Sequence, residues 1–203
     1  MLAPVVAPTQ QAPWLPTTVA QFLQWQGDPG ERYEFVAGAP VKMNAPSPRH
    51  EALVAKLIGL LGQLKGNCRV YGSNLGVVTA EGRHIRKPDV TVRCEPFVAG
   101  DGHRYSLANP TVIVEVRSSD STVEHGSKLE EYLALPSLQK YVVLSQSRIS
   151  AVVYSRESTG NEVWETRVYG AGRSVPFLSG QISLEALYEG VFDEPGDAVE
   201  LVK

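Results

Sequence analysis

Two carboxylates and one lysine carry the chemistry that this chain could perform. Glu115 interrupts the apolar run of Val112, Ile113, Val114 and Val116 in PTVIVEVRSSDS. A carboxylate inside such a strand loses hydration worth several kcal/mol unless a partner replaces it. Strand side chains alternate, so Glu115 shares a face with Ile113 and Arg117. In RKPDVTVRC, Asp89 shares a face with Thr91 and Arg93, and Pro88 places it at a strand start or on an edge. Carboxylates converging from neighbouring strands repel one another unless a proton or a divalent cation lies between them. Oxygen donors alone suit a hard ion, Mg2+ or Mn2+. Lys128 follows on a predicted helix, one turn before Tyr132, and packing of that helix across the strand ends would bring its ammonium to the carboxylates. Asp, Glu and Lys around such an ion can hydrolyse a phosphodiester. The structural alternative is a set of ion pairs with Arg117, Arg93 or Arg86.

The elements that must position these groups are legible in part. Thr17 or Thr18 caps a short helix carrying Val19, Phe22 and Leu23, ended by GDPG. ERYEFVAGAPVKMN has a hairpin pattern with Gly38 near its turn. Ser47 and Pro48 start a helix whose stripe of Leu53, Leu57, Leu60, Leu61 and Leu64 runs to Gly66. Strands are predicted near 68–72, 76–80, 88–94 and 111–117. A helix follows in 122–135, stopped by Pro136. KYVVLS, ISAVVYS and EVWETRVYG read as three more strands, the last two joined at STGN, and 182–188 as a last helix. That order predicts an α/β or α+β domain around a mixed sheet flanked by helices.

The chain has 203 residues, enough for one domain with a real core, placed at 16–190 between a flexible extension (1–15) and an acidic tail (191–203). A net charge of −3 predicts no strongly basic face, so any grip on nucleic acid needs a local patch. Arg83, His84, Arg86 and Lys87 form the densest one, read either as a solvated turn or, for Arg86 and Lys87, as contacts to phosphates. Cys68 and Cys94 lack CxxC spacing and read as isolated thiols, which makes a reducing cytoplasm the default. No apolar run approaches the roughly 18 residues of a membrane span.

Pro88-Asp89 followed by Glu115-Val116-Arg117 resembles the core of PD-(D/E)XK nucleases. RYEFVAGAPVKMNAPSPRHEALVAKL, KPDVTV, PTVIVEVRSSDS, KLEEY and KYVVLS together are similar to the Uma2 family of restriction endonuclease-like proteins, from about Thr17 to Tyr188. The resemblance implies a restriction-endonuclease-like fold, Mg2+ dependence and DNA as substrate. Asp89 and Glu115 would hold the metal, with the Val116 backbone carbonyl as a further ligand. Arg117 stands where the wider superfamily has its lysine; in Uma2-like chains the lysine has moved to the next helix, where Lys128 matches it. Arginine is a poor proton acceptor, which leaves Arg117 an accessory role. His50, in the matching SPRHE segment, and Glu34, in YEF, are accessory candidates. A homodimer would supply two sites for two strands. The rival is a nuclease-fold binding or interaction protein without turnover.

Overall fold

The computed structural model describes residues 14–196 apart from 26, 65, 101, 102, 118–123, 160 and 161. Most of the expected N-terminal extension and residues 197–203 of the expected tail lie outside the described residues, as does part of the STGN turn.

The chain opens with α1 (Val19–Gln24), β1 (Tyr33–Val36), β2 (Ala39–Lys42) and α2 (Pro48–Leu64). There follow β3 (Arg69–Gly72), β4 (Gly76–Thr79), β5 (His84–Arg86), β6 (Val90–Arg93), β7 (Ala99–Gly100), β8 (His103–Leu107) and β9 (Val112–Arg117). Next are α3 (Glu124–Leu133), β10 (Lys140–Ser145), β11 (Ser150–Ser155) and β12 (Glu165–Gly170). A small hairpin, β13 (Ser174–Phe177) and β14 (Gly180–Ser183), leads into α4 (Leu184–Tyr188).

The expected mixed sheet is present in the order β12-β11-β10-β9-β6-β3. Only β9 and β10 are parallel within it, and α3 supplies the crossover that a parallel pair requires. A second six-stranded sheet, β2-β1-β5-β4-β8-β7, was not anticipated as a separate layer. The expected hairpin in it turns on Ala37 and Gly38, whose φ values of 50° and 82° suit a two-residue turn with both central residues left-handed.

α2 begins as expected: Ser47 Oγ accepts the His50 N–H at 3.2 Å, and Pro48 occupies the first helical position. Its stripe of Leu53, Leu57 and Leu61, fully buried, packs on Val90, Val92, Val112, Val114 and Val116. Truncating any one of these leucines to alanine would cost about 2–5 kcal/mol. The opposite face of the sheet buries Ile113, Tyr141 and Val143 together with Tyr132 of α3 and Val77 of β4. Glu115 belongs to that second face.

Three expectations need correction. The basic run at 83–87 is no solvated turn, since its centre is β5, paired with both β1 and β4. The last helix starts at Leu184 rather than 182, because Ile182 and Ser183 complete β14, and Ser183 Oγ then caps the helix. Cys68 and Cys94 are joined in a disulfide rather than standing as isolated thiols. Arg69 pairs with Arg93 in the β3–β6 ladder, so the two cysteines face one another one rung further on. Among the described residues no helix is long and apolar enough to cross a membrane.

Candidate active site

The β6–β9 ladder brings the two carboxylates together. Val90 pairs with Val114, so Asp89, the residue just before β6, comes opposite Glu115 at the end of the antiparallel ladder. No residue of β6 pairs with Val116. Its N–H instead donates to Asp89 Oδ2 at 2.7 Å. The N–H and C=O of one strand residue point the same way, so the Val116 carbonyl also faces the Asp89 side.

Glu115 is only 9% exposed. Tyr132 of α3 donates its hydroxyl to Glu115 Oε1 at 2.9 Å. Burial pushes the Glu115 carboxyl upward, Lys128 opposes this, and Asp89 and Glu34 add to it, leaving its pKa at about 8. Asp89 and Glu34 thus crowd Glu115 with negative charge, against one ammonium beside it. That surplus of negative charge is what a divalent cation would relieve.

Lys128 of α3 is the ammonium. Its Nζ lies 3.0 Å from Glu34 Oε1 and 4.0 Å from Glu115 Oε1. Burial alone would depress its pKa, but Glu115 and Glu34 outweigh burial and raise it, so Lys128 is a cation at neutral pH. Glu34 on β1 is 4% exposed and accepts the Lys87 N–H at 3.0 Å as well as Arg86 Nη1 at 3.0 Å. Burial works against its charge, yet Lys128, Lys87 N–H and Arg86 hold its pKa below the usual carboxylate value.

Burial weighs against Arg86 as a phosphate contact: it is 5% exposed and clamps two carboxylates, Glu34 and Glu131 of α3. Thr79 Oγ1 also donates to Glu131 Oε2 at 2.6 Å, and His84 Nδ1 lies 3.0 Å from Glu131 Oε1. This cluster ties α3 to β4 and β5 and so fixes Lys128, one turn from Glu131 along the helix. Lys87 is half-buried, and burial and the neighbouring Arg32 lower its pKa.

His50, in the first turn of α2, places Nε2 3.2 Å from Asp89 Oδ2. Burial disfavours its charge, but the bond to Asp89 and the negative charges around it outweigh burial and raise its pKa. Burial lowers the pKa of Arg117, at the end of β9, and Tyr141 and Tyr154 of β10 and β11 act against that. Of the candidates, Glu34, His50, Glu115 and Lys128 come together from four separate elements, with Asp89 from the segment just before β6. Tyr132 and Glu131 were visible in KLEEY only as helix positions, and nothing local marks them as partners of Glu115 and Arg86.

Among the described residues no three His, Cys, Asp or Glu side chains are drawn together as a closed metal cage. Mg2+ does not need one. It keeps several waters and commonly takes one or two carboxylates. Asp89, Glu115 and the Val116 carbonyl are all hard oxygen donors and fit that ion.

A family model described as "Putative restriction endonuclease", Uma2, matches residues 19–186. Two proteins of Synechocystis sp. (strain ATCC 27184 / PCC 6803 / Kazusa) are similar to the chain. "Uncharacterized protein slr1290" is 25% identical over 192 residues, covering 92% of this chain and 99% of that one. "Uncharacterized protein sll1609" is 26% identical over 164 residues, 79% of this chain and 92% of that one. The fold is similar to the crystal structure of "a putative nuclease belonging to DUF820" from Anabaena variabilis ATCC 29413. The TM-score is 0.67 at 17% identity, over 87% of this chain and 99% of the other.

Proposed function

We propose that this chain, which belongs to the Uma2 family, is a Mg2+- or Mn2+-dependent endonuclease that hydrolyses DNA phosphodiesters. One observation carries the proposal: Asp89 and Glu115 face each other at the end of a ladder, with a charged Lys128 4.0 Å from Glu115. A divalent ion held by Asp89, Glu115 and the Val116 carbonyl would polarise the phosphate and lower the pKa of a bound water.

The chain's own groups divide the remaining work. Tyr132 and His50 orient the two carboxylates, each through one hydrogen bond or ion pair. Lys128 is protonated, so it acts as a donor that holds the attacking water or the charge developing on the phosphate, not as a base. Glu34 and Arg86 keep that ammonium in place. A homodimer would set two such sites against the two strands of a duplex.

The test is nicking of supercoiled plasmid and of single-stranded DNA with Mg2+ or Mn2+. Wild type should nick, and Asp89→Asn and Lys128→Met should each lose about a hundredfold or more in rate. Pure, folded wild type that nicks neither DNA with either metal would refute the activity. Arg117 in the usual lysine position favours the second reading, a nuclease-fold binding module. Metal-binding heat that disappears in Asp89→Asn, without nicking by wild type, would select it.

A further inference from the structure

Beside the carboxylate pair, on the same sheet face, lies a groove of about 330 Å³ that the reaction as described does not use. Arg117, Val143, Ser145, Ser147, Arg148 and Val152 line it. The β9–β10 register sets Val143 beside Glu115 and Ser145 beside Arg117, so the groove begins one strand across from the site. Arg117 stands two residues beyond Glu115 on one face, a step of about 7 Å and on the scale of one nucleotide.

We propose that this groove binds the phosphate adjacent to the scissile one, with Arg117 and Arg148 as its cations; this rests on the nuclease activity proposed above. A guanidinium matches the paired oxygens of a phosphodiester, and hydroxyls of Ser145 and Ser147, 3.0 Å apart, add donors to the same anion. Val143 and Val152 give the floor an apolar surface suited to sugar and base. The turn that carries Arg148 is held before any ligand arrives. The Gln146 N–H donates to the Arg117 carbonyl at 3.0 Å, and Ser47 Oγ donates to Gln146 Oε1 at 2.7 Å. One residue therefore links that turn to the end of β9 and to the cap of α2. Anchoring of this kind lowers the ordering cost of binding. With a net charge of −3, attraction to a nucleic-acid strand has to come from a local pair of cations such as this one.

Binding of a fluorescein-labelled DNA oligonucleotide, followed by anisotropy in Ca2+ to hold off cleavage, tests the groove. Arg148 is exposed in its turn, so its replacement leaves the fold intact. Arg148→Ala and Arg117→Gln should each weaken binding about fivefold to tenfold and lower the slope of log affinity against log salt by about 0.7–0.9. Arg69→Ala, on the far edge strand, should do neither. In nicking assays Arg148→Ala should raise KM with kcat largely kept. If wild type nicks DNA while both groove variants keep its affinity and salt slope, the groove is overturned and the nuclease stands. An equal loss in Arg69→Ala would also overturn it, by assigning the effect to overall charge. If wild type neither binds nor nicks, both proposals fall.

Discussion

Replacing Glu115 by glutamine should make the metal-free protein more stable at alkaline pH. The substitution keeps an acceptor for the Tyr132 hydroxyl but removes the ionisable group. In the folded chain the Glu115 pKa is raised from 4.5 to about 8, chiefly by burial. A group raised on folding stabilises fully below its unfolded pKa, and that contribution is lost as pH rises through the folded value. Unfolded Glu115 is ionised at pH 6 while folded Glu115 still holds its proton, and by pH 9 both are ionised. Two pKa units of that gap fall between pH 6 and 8, so wild type should lose about 2–3 kcal/mol more than Glu115→Gln between pH 6 and 9. Urea denaturation in EDTA at the two pH values measures the difference. Parallel pH profiles for the two proteins would refute the raised pKa of Glu115. The same proton predicts that Mg2+ binding below pH 8 releases acid, which calorimetry in buffers of different ionisation enthalpy would register.

Arg86→Met would leave the Glu34 and Glu131 carboxylates buried without their shared cation and should cost about 3–5 kcal/mol in denaturant unfolding. It should also flatten the acid limb. The Glu131 carboxyl, raised by burial but held down more strongly by Arg86 and Thr79, has a folded pKa of about 2. Its stabilising contribution is therefore present above 4.5 and lost as pH falls toward 2, a loss that removal of Arg86 diminishes. The Cys68–Cys94 bridge, which spans 26 residues of sequence, should contribute about 3 kcal/mol. Mass spectrometry of the oxidised protein under denaturing conditions should find no alkylatable thiol, and reduction should lower the urea midpoint without abolishing the fold.

What the sequence disclosed follows from the range of the interactions involved. Period-two alternation puts Asp89 and Glu115 each on a definite strand face. Ser47-Pro48 and the leucine stripe locate α2 for the same reason: the signals are local. Arg86 misled because a charge run usually lies in water. Its burial depends on β5 pairing with β1 and β4, and on an acid arriving from α3. The cysteine pair depends on the β3–β6 register, which no spacing rule reveals. The second sheet was missed because β5, β7 and β8 are short and lack clean alternation. Lys128 is the intermediate case. Helical spacing placed it on a face with Tyr132, and only the docking of α3 decided that this face meets Glu34 and Glu115.

That docking has a consequence for how the site can fail. A lysine on β9 would be held by ladder hydrogen bonds and would persist as long as the sheet. Lys128 is held through α3, whose attachment is a cluster of side chains around Tyr132, Glu131 and Arg86. Helices of this kind can detach in opening events far smaller than global unfolding. If the chain is the nuclease proposed above, the fraction of molecules competent for catalysis equals the fraction with α3 seated. Amide exchange in that helix, rather than the melting temperature, would set the upper bound on activity as temperature rises.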